Sequence, residues 1–213
     1  MNDHFKPALA ELIGTFLLVF IGAGSGATNA GLVGVALAHG IAIMAIIYAF
    51  GSISGAHVNP AVTIGLALTG KVKWDRAVVY LIAQFIGAAL AGYSLRFILG
   101  TAGNLGATQL AANVSPIAGV AVEAILTFFL VTAVFASGVA NKNGNMAGVA
   151  IGWVLTMDIL MGGTLTGASM NPARTFGPAI TLFDFNNFWV YLVGPILGGA
   201  LAAVIYDRAF MKS

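Results

Sequence analysis

Long apolar stretches alternate with short polar breaks along almost the whole chain. A helix that crosses a lipid bilayer needs about 20 predominantly apolar residues. Six stretches reach roughly that length, at about 8–28, 33–51, 77–99, 117–138, 147–164 and 187–207. The pattern therefore predicts an all-α membrane protein with six transmembrane helices.

Two shorter apolar pieces, at about 59–69 and 171–182, are only half a span long. Each begins with the same tripeptide, Asn59-Pro60-Ala61 in the first and Asn171-Pro172-Ala173 in the second. Asn is a strong helix N-cap and Pro suits the first helical position. Helices that begin inside apolar sequence are typical of re-entrant half-helices, whose positive N-terminal ends point into a cavity.

The chain also contains an internal duplication with an offset of 112 residues. The matching pairs are Glu11 with Glu123, Gly40 with Gly152, Asn59 with Asn171 and Thr63 with Thr175. Each copy has three spans, so the second must enter the membrane inverted, and the two half-helices then meet near the midplane. We therefore expect one transmembrane domain over 1–213, with repeats at about 8–99 and 117–208.

Two segments need a separate interpretation. The first span, preceded by Lys6, has the form of a secretory signal peptide, but its recurrence in the second repeat makes it part of the fold. The segment around 100–113 is rich in Gly and Asn and carries no charge, which predicts a flexible outer loop between the repeats.

Composition agrees with a protein that is solvated by lipid. Of the 213 residues, 59% are hydrophobic and only 8% charged, whereas about a quarter of the residues in a soluble domain are charged. The net charge of +2 is scattered, which argues against nucleic-acid binding. Cysteine is absent, and no catalytic, phosphate-binding or metal-ligand motif occurs, so we expect no enzyme, no cofactor and no metal.

Basic residues predict the orientation. One side of the membrane would hold Lys6, Lys71, Lys73, Arg76, Lys142, Arg208 and Lys212, and the other only Arg96 and Arg174. The positive-inside rule then places both termini in the cytoplasm. Short tails and minimal loops favour a plasma membrane.

The segments SGAHVNPAVTIG and TGASMNPARTFGPA, which surround the two tripeptides, resemble the aquaporin (major intrinsic protein) family. The resemblance extends from about Ala8 to Tyr206. It implies a pore through each subunit of a homotetramer embedded in lipid. The expected activity is passive conduction of water and small neutral solutes in single file, with exclusion of protons and ions. A glycerol or urea facilitator and an ion-coupled transporter are the alternatives.

In such a pore the amides of Asn59 and Asn171 would donate to passing water, although each Asn could simply cap its own helix. Arg174 has Val62 as its repeat partner, so this cation exists in one half only. An arginine at membrane depth usually lines a wet cavity, and the alternative is a buried ion pair.

The family resemblance also implies an outer constriction formed by His39, Ile159, Ala168 and Arg174. This set resembles that of some plant tonoplast intrinsic proteins, for which the implied cargo includes ammonia as well as water. Thr175 stands where the glycerol-facilitator pattern has Asp, which disfavours that alternative.

Four further acidic or titratable positions remain. Glu11 and Glu123 occupy equivalent places, and their symmetry predicts that each accepts hydrogen bonds from the backbone of its re-entrant loop, as a structural brace and not as a proton carrier. Asp158 has no acidic counterpart and no assigned role. His57 is interpreted as a loop-bracing residue, with a pH-sensitive gate as the alternative.

Overall fold

The computed structural model describes residues 4–211; Lys212, one of the basic residues used to orient the chain, lies outside this range. Within it, six helices are long and apolar enough to cross a membrane. Their helical cores are α1 (Phe5–Ala27), α2 (Gly31–Ser54), α4 (Trp74–Leu99), α5 (Pro116–Val134), α6 (Ala147–Gly162) and α8 (Phe188–Ile205). π-Helical turns extend α5 to Val139 and α8 to Met211. The predicted all-α membrane fold is confirmed.

Two short helices, α3 (Pro60–Leu68) and α7 (Pro172–Leu182), occupy the half-length apolar pieces. Each starts at the proline of its tripeptide, because the preceding Asn leaves the helical conformation and caps the first turn. The side chain of Asn59 accepts from the backbone N–H of Ala61, 2.9 Å away. Asn171 does the same with Ala173, at 3.0 Å.

The helices pack in two corresponding groups. α1 packs against α2 and α4, and α5 packs in the same way against α6 and α8. α2 and α6 join the groups along their length. Each half-helix packs mainly against the last spanning helix of the other group, α3 against α8 and α7 against α4. The two half-helices are therefore held by the opposite repeat.

Small residues let these helices approach closely. A methyl group on Gly87 would collide with the carbonyl of Leu12 in α1, and one on Gly198 with the carbonyl of Ala124 in α5. The corresponding contacts, α1 with α4 and α5 with α8, are made inside one chain. Glycine and alanine at these positions thus serve backbone-to-backbone packing within the bundle.

The segment between the repeats packs against the bundle, which differs from the flexible outer loop predicted from its composition. It forms a 3₁₀ turn, Ala102–Gly106, in which the side chain of Leu105 is fully buried. Gly103 and Gly106 have positive φ angles and lie directly against the backbone of α1. This close contact with α1 requires residues without a side chain. Composition shows that the segment is rich in glycine, but it does not show that the glycines contact another helix.

Candidate functional site

Asn59 and Asn171 each join the two repeats. Nδ2 of Asn59 donates to the carbonyl of Met170 at 2.8 Å, and Nδ2 of Asn171 donates to the carbonyl of Val58 at 2.9 Å. Since each side-chain oxygen accepts from its own helix, the orientation of both amides is fixed by the surrounding hydrogen bonds. Each amide nitrogen has two hydrogens, and this bond uses one of them.

The loops that lead into α3 and α7 have unusual backbones. Ala56 and Val58 have φ angles of 50° and 43°, and their repeat equivalents Ala168 and Met170 have 45° and 52°. This left-handed conformation is disfavoured for residues with a side chain, above all for a β-branched one such as Val58. Here it turns the carbonyls of Val58 and Met170 towards the two asparagines. Such strain persists only where the surroundings fix the backbone.

Glu11 of α1 fixes the first loop. Its Oε1 accepts from the hydroxyl of Ser54 at 2.6 Å and from the backbone N–H of His57 at 2.9 Å. Its Oε2 accepts from the backbone N–H of Val58 at 2.7 Å and from Nε2 of Gln84 at 2.8 Å. The fully buried carboxylate therefore has four donors and directly holds the strained residue Val58.

Glu123 of α5 fixes the second loop in the same way. Its Oε1 accepts from the hydroxyl of Thr166 at 2.7 Å and from the backbone N–H of Ser169 at 2.9 Å. Its Oε2 accepts from the backbone N–H of Met170 at 2.7 Å. Both glutamates thus satisfy backbone donors that irregular structure leaves open at membrane depth.

A cavity of about 600 Å³ runs alongside these loops. The asparagine pair, His39, Arg174, Lys71 and Arg76 all border it. Arg174 contacts Gly106 beyond the C-terminal end of α4, whereas Lys71 and Arg76 lie at the N-terminal end of α4, so they mark two opposite ends, called here the upper end and the basic end. Apolar side chains form much of the remaining wall, namely Leu18, Ile43, Val62, Leu130, Ile151 and Leu155. Polar groups therefore concentrate at a few positions along an otherwise apolar passage.

Arg174 and His39, which both line this cavity, each have one buried nitrogen without a hydrogen-bond partner among the described residues. Nη1 of Arg174 donates to the carbonyl of Gly106 at 2.7 Å, while its Nε has no partner among the described residues. Nδ1 of His39 lies 2.9 Å from the carbonyl of Val35. A carbonyl only accepts, so Nδ1 carries the hydrogen and Nε2, which has no partner in the described chain, is the acceptor of the neutral ring.

The other two residues of the predicted constriction, Ile159 and Ala168, are buried and share one apolar cluster. This cluster includes Ile43 and Leu155, which line the cavity. The structure therefore brings His39 and Arg174 to the cavity itself. Ile159 and Ala168 are absent from its lining and lie in the apolar cluster beside it.

At the basic end, Nζ of Lys71 forms an ion pair with Asp207 at 2.7 Å. His57 also borders the cavity. Its Nδ1 lies 3.2 Å from the hydroxyl of Thr63, and its ring makes an edge contact with Tyr80, with centroids 5.2 Å apart. Its backbone N–H is one of the donors to Glu11. His57 is thus tied into the loop network by both backbone and side chain.

Asp158 is buried, and its Oδ2 has no hydrogen-bond partner among the residues that the structure describes. It is absent from the cavity lining, although its neighbour Ile159 belongs to the adjoining apolar cluster. Nothing in the structure explains this carboxyl group.

Sequence reasoning missed several contributors to the site. The carbonyls of Val58 and Met170 and the anchor carbonyl of Gly106 belong to backbone that composition cannot locate. Gln84 and Thr63 complete the Glu11 network, with Gln84 Nε2 donating to the Thr63 hydroxyl at 2.9 Å. The 112-residue offset pairs Val58 with Met170, and this is the one signal in the sequence that could have identified their two carbonyl groups.

Six spanning helices and two half-helices, whose N-terminal ends lie at a shared cavity, define a membrane channel. The family model described as major intrinsic protein matches residues 2–206, and the chain belongs to this family, the aquaporins. It is 42% identical to Aquaporin TIP2-1 of Arabidopsis thaliana, covering 100% of this chain and 92% of that protein. It is equally 42% identical to Aquaporin TIP1-2 of Zea mays, covering 98% and 87%.

A solved structure with the same architecture is the aquaglyceroporin from Plasmodium falciparum, with a TM-score of 0.84 and 26% identity. The likeness covers 97% of this chain and 96% of that one. The family resemblance inferred from the two tripeptide segments is thus confirmed. The family consists of channels, so the prediction that the chain is not an enzyme is confirmed with it.

Proposed function

We propose that the chain conducts water in single file, and ammonia as a second small neutral solute, while excluding protons and ions. The observation that carries the proposal is the asparagine pair. Two amides from opposed half-helices border one cavity, and each keeps one hydrogen that its bond to the opposite loop does not use. Relatives named as TIP-type aquaporins support water as the cargo.

Proton exclusion follows from the direction of these donors. A water whose oxygen accepts from both amides must turn its own hydrogens away from the pair, towards the two ends of the passage. The file of hydrogen bonds then reverses direction at the centre, which interrupts proton hopping. Both half-helix N-termini add positive partial charge at the same place and repel cations.

Selectivity at the upper end would come from His39, Ile159, Ala168 and Arg174. The arginine would offer donors and the histidine its ring, while the isoleucine and alanine would offer apolar surface. A wall with few hydrogen-bonding groups suits ammonia. The aquaglyceroporin likeness makes glycerol the competing cargo, and Thr175 in place of Asp speaks against it.

Glu11 and Glu123 act in this proposal as braces. With four and three donors respectively, their oxygens are already engaged by the loops. A proton-coupled carrier would have to release these bonds in every cycle and let strained backbone relax. The hydrogen bonding therefore favours a passive channel.

The channel would be one domain, 1–213, with inverted repeats at about 8–99 and 117–208 and both termini in the cytoplasm. The family implies a homotetramer, with one pore in each subunit. The protein is an integral membrane protein. The TIP-type names of its relatives match the tonoplast resemblance of the filter and give no support to the plasma membrane expected from the short loops.

Purified protein in lipid vesicles tests the proposal. Under a sucrose gradient, vesicles with the protein should shrink much faster than empty ones and with weak temperature dependence. Parallel gradients of ammonium, urea and glycerol separate the cargoes, and a pH-sensitive dye inside the vesicles follows protons. Water permeability equal to that of empty vesicles would refute the channel. Rapid entry of glycerol would contradict the proposed cargo and favour the alternative, a glycerol facilitator.

A further inference from the structure

Gly22 of α1 lies directly against the ring of His39. A methyl group at this glycine would stand 2.7 Å from Cε1 of the imidazole and closer still to Nε2 and Cδ2. Since these three ring atoms are nearly equidistant from that point, the glycine contacts the face of the ring and not its edge. No residue with a side chain fits there while the ring keeps its place.

The ring lies between α1 and the cavity. Leu18 precedes Gly22 by four positions, so both occupy the same face of α1. Leu18 lines the cavity, and so does His39. At the level of Gly22 the imidazole therefore covers the helix and takes the place of a wall side chain. A methyl group on α1 would press the ring in the direction in which Leu18 points, towards the passage.

The ring has little freedom to turn aside. Nδ1 of His39 is bonded to the carbonyl of Val35, which fixes one edge of the imidazole to its own helix. Ordinary contact between carbon atoms begins at about 3.5 Å, so a methyl group would displace the ring by about 1 Å. In a passage that admits one molecule at a time, about 1 Å is a large part of the width.

We propose that Gly22 determines the width of the constriction in this channel by setting how far the His39 ring projects into the passage. This inference rests on the proposed function, because it concerns the width of the same constriction. Gly22 is a positioning residue that acts through His39. The repeat equivalent of Gly22 is Val134, which has a side chain. The glycine that makes room for a ring is therefore present in one half of the molecule only.

Gly22→Ala tests the inference in lipid vesicles. We expect it to lower water permeability about tenfold, and ammonia permeability at least as much, because the displaced ring narrows the constriction. His39→Ala should widen the passage and admit urea. In the double variant the alanine methyl at 22 has room, so its permeability should match that of His39→Ala alone.

Gly24→Ala is the matched control. It places the same substitution two residues further along α1, where a methyl group would meet only Cδ2 of Leu95 at 3.1 Å, the end of a flexible side chain in α4. Its water permeability should equal that of the wild type. Quantified protein in the vesicles and thermal unfolding in detergent show that each variant is folded.

The outcomes separate the two proposals. Wild-type vesicles that shrink no faster than empty ones would refute the proposed function, and this inference with it. If the wild type conducts and Gly22→Ala conducts equally well, the inference alone fails. It also fails if the Gly22→Ala defect persists in the His39→Ala background, since the loss would then come from helix packing.

Discussion

Replacing Glu123 by Gln removes one acceptor from a buried network without changing its shape. The glutamine oxygen can remain opposite the two donors at the Oε1 position, Thr166 and Ser169. Its NH₂ group then faces the backbone N–H of Met170, which donates to Oε2 at 2.7 Å in the wild type. Two donors confront each other, and the N–H of Met170 loses its partner.

A buried donor left without an acceptor costs about 1–3 kcal/mol. We therefore expect Glu123→Gln to lower the free energy of unfolding by about 1–3 kcal/mol, and Tm by about 2–4 °C for each kcal/mol. Glu123→Ala removes all three acceptor contacts, and its cost of about 3–9 kcal/mol is large enough to prevent folding. The milder variant is therefore the informative one.

Thermal unfolding in detergent measures the effect. Asp75→Asn is the control, because Asp75 is exposed in the first turn of α4 and its charge is removed in the same way. It should shift stability by no more than about 0.5 kcal/mol. Water permeability of Glu123→Gln should also fall, since the Met170 carbonyl orients the amide of Asn59. A Tm equal to that of the wild type would refute the bracing argument.

Three other outcomes are expected in vesicle assays. Arg174→Val should admit cations and larger neutral solutes, measured by conductance and urea uptake, because it removes a fixed charge from the constriction; unchanged selectivity would assign Arg174 a purely structural role. Ile159→His should reduce ammonia permeability more than water permeability, since it adds a hydrogen-bonding group to the apolar wall, and an equal effect on both would contradict the proposed filter. Water flow should resist mercurial reagents because the chain has no cysteine, so strong inhibition would reveal another reactive group.

Hydrophobic length and the two Asn-Pro steps predicted the helices well. α3 and α7 begin at Pro60 and Pro172, as their caps required. The reason is local: a side chain that accepts from the next turn and a ring that fits the first helical position act on neighbouring residues. Span length is likewise set by one external dimension, the thickness of the bilayer.

The parts that the sequence did not predict depend on contacts between distant segments. The loop after α4 contains Gly103 and Gly106, and their positions against α1 depend on tertiary packing. The same holds for Gly22 beside His39. In a chain with 28 glycines, composition alone does not indicate which of them another element touches. The left-handed conformation of Val58 runs against its intrinsic preference and is maintained by Glu11.

An experimental structure in lipid, at a resolution that reveals ordered water, tests the central claim most directly. The account predicts a single file of water along the cavity, with one molecule within about 3.2 Å of the amide nitrogens of both Asn59 and Asn171. A passage that is dry between these two residues, or amides too far apart to share one molecule, would contradict it.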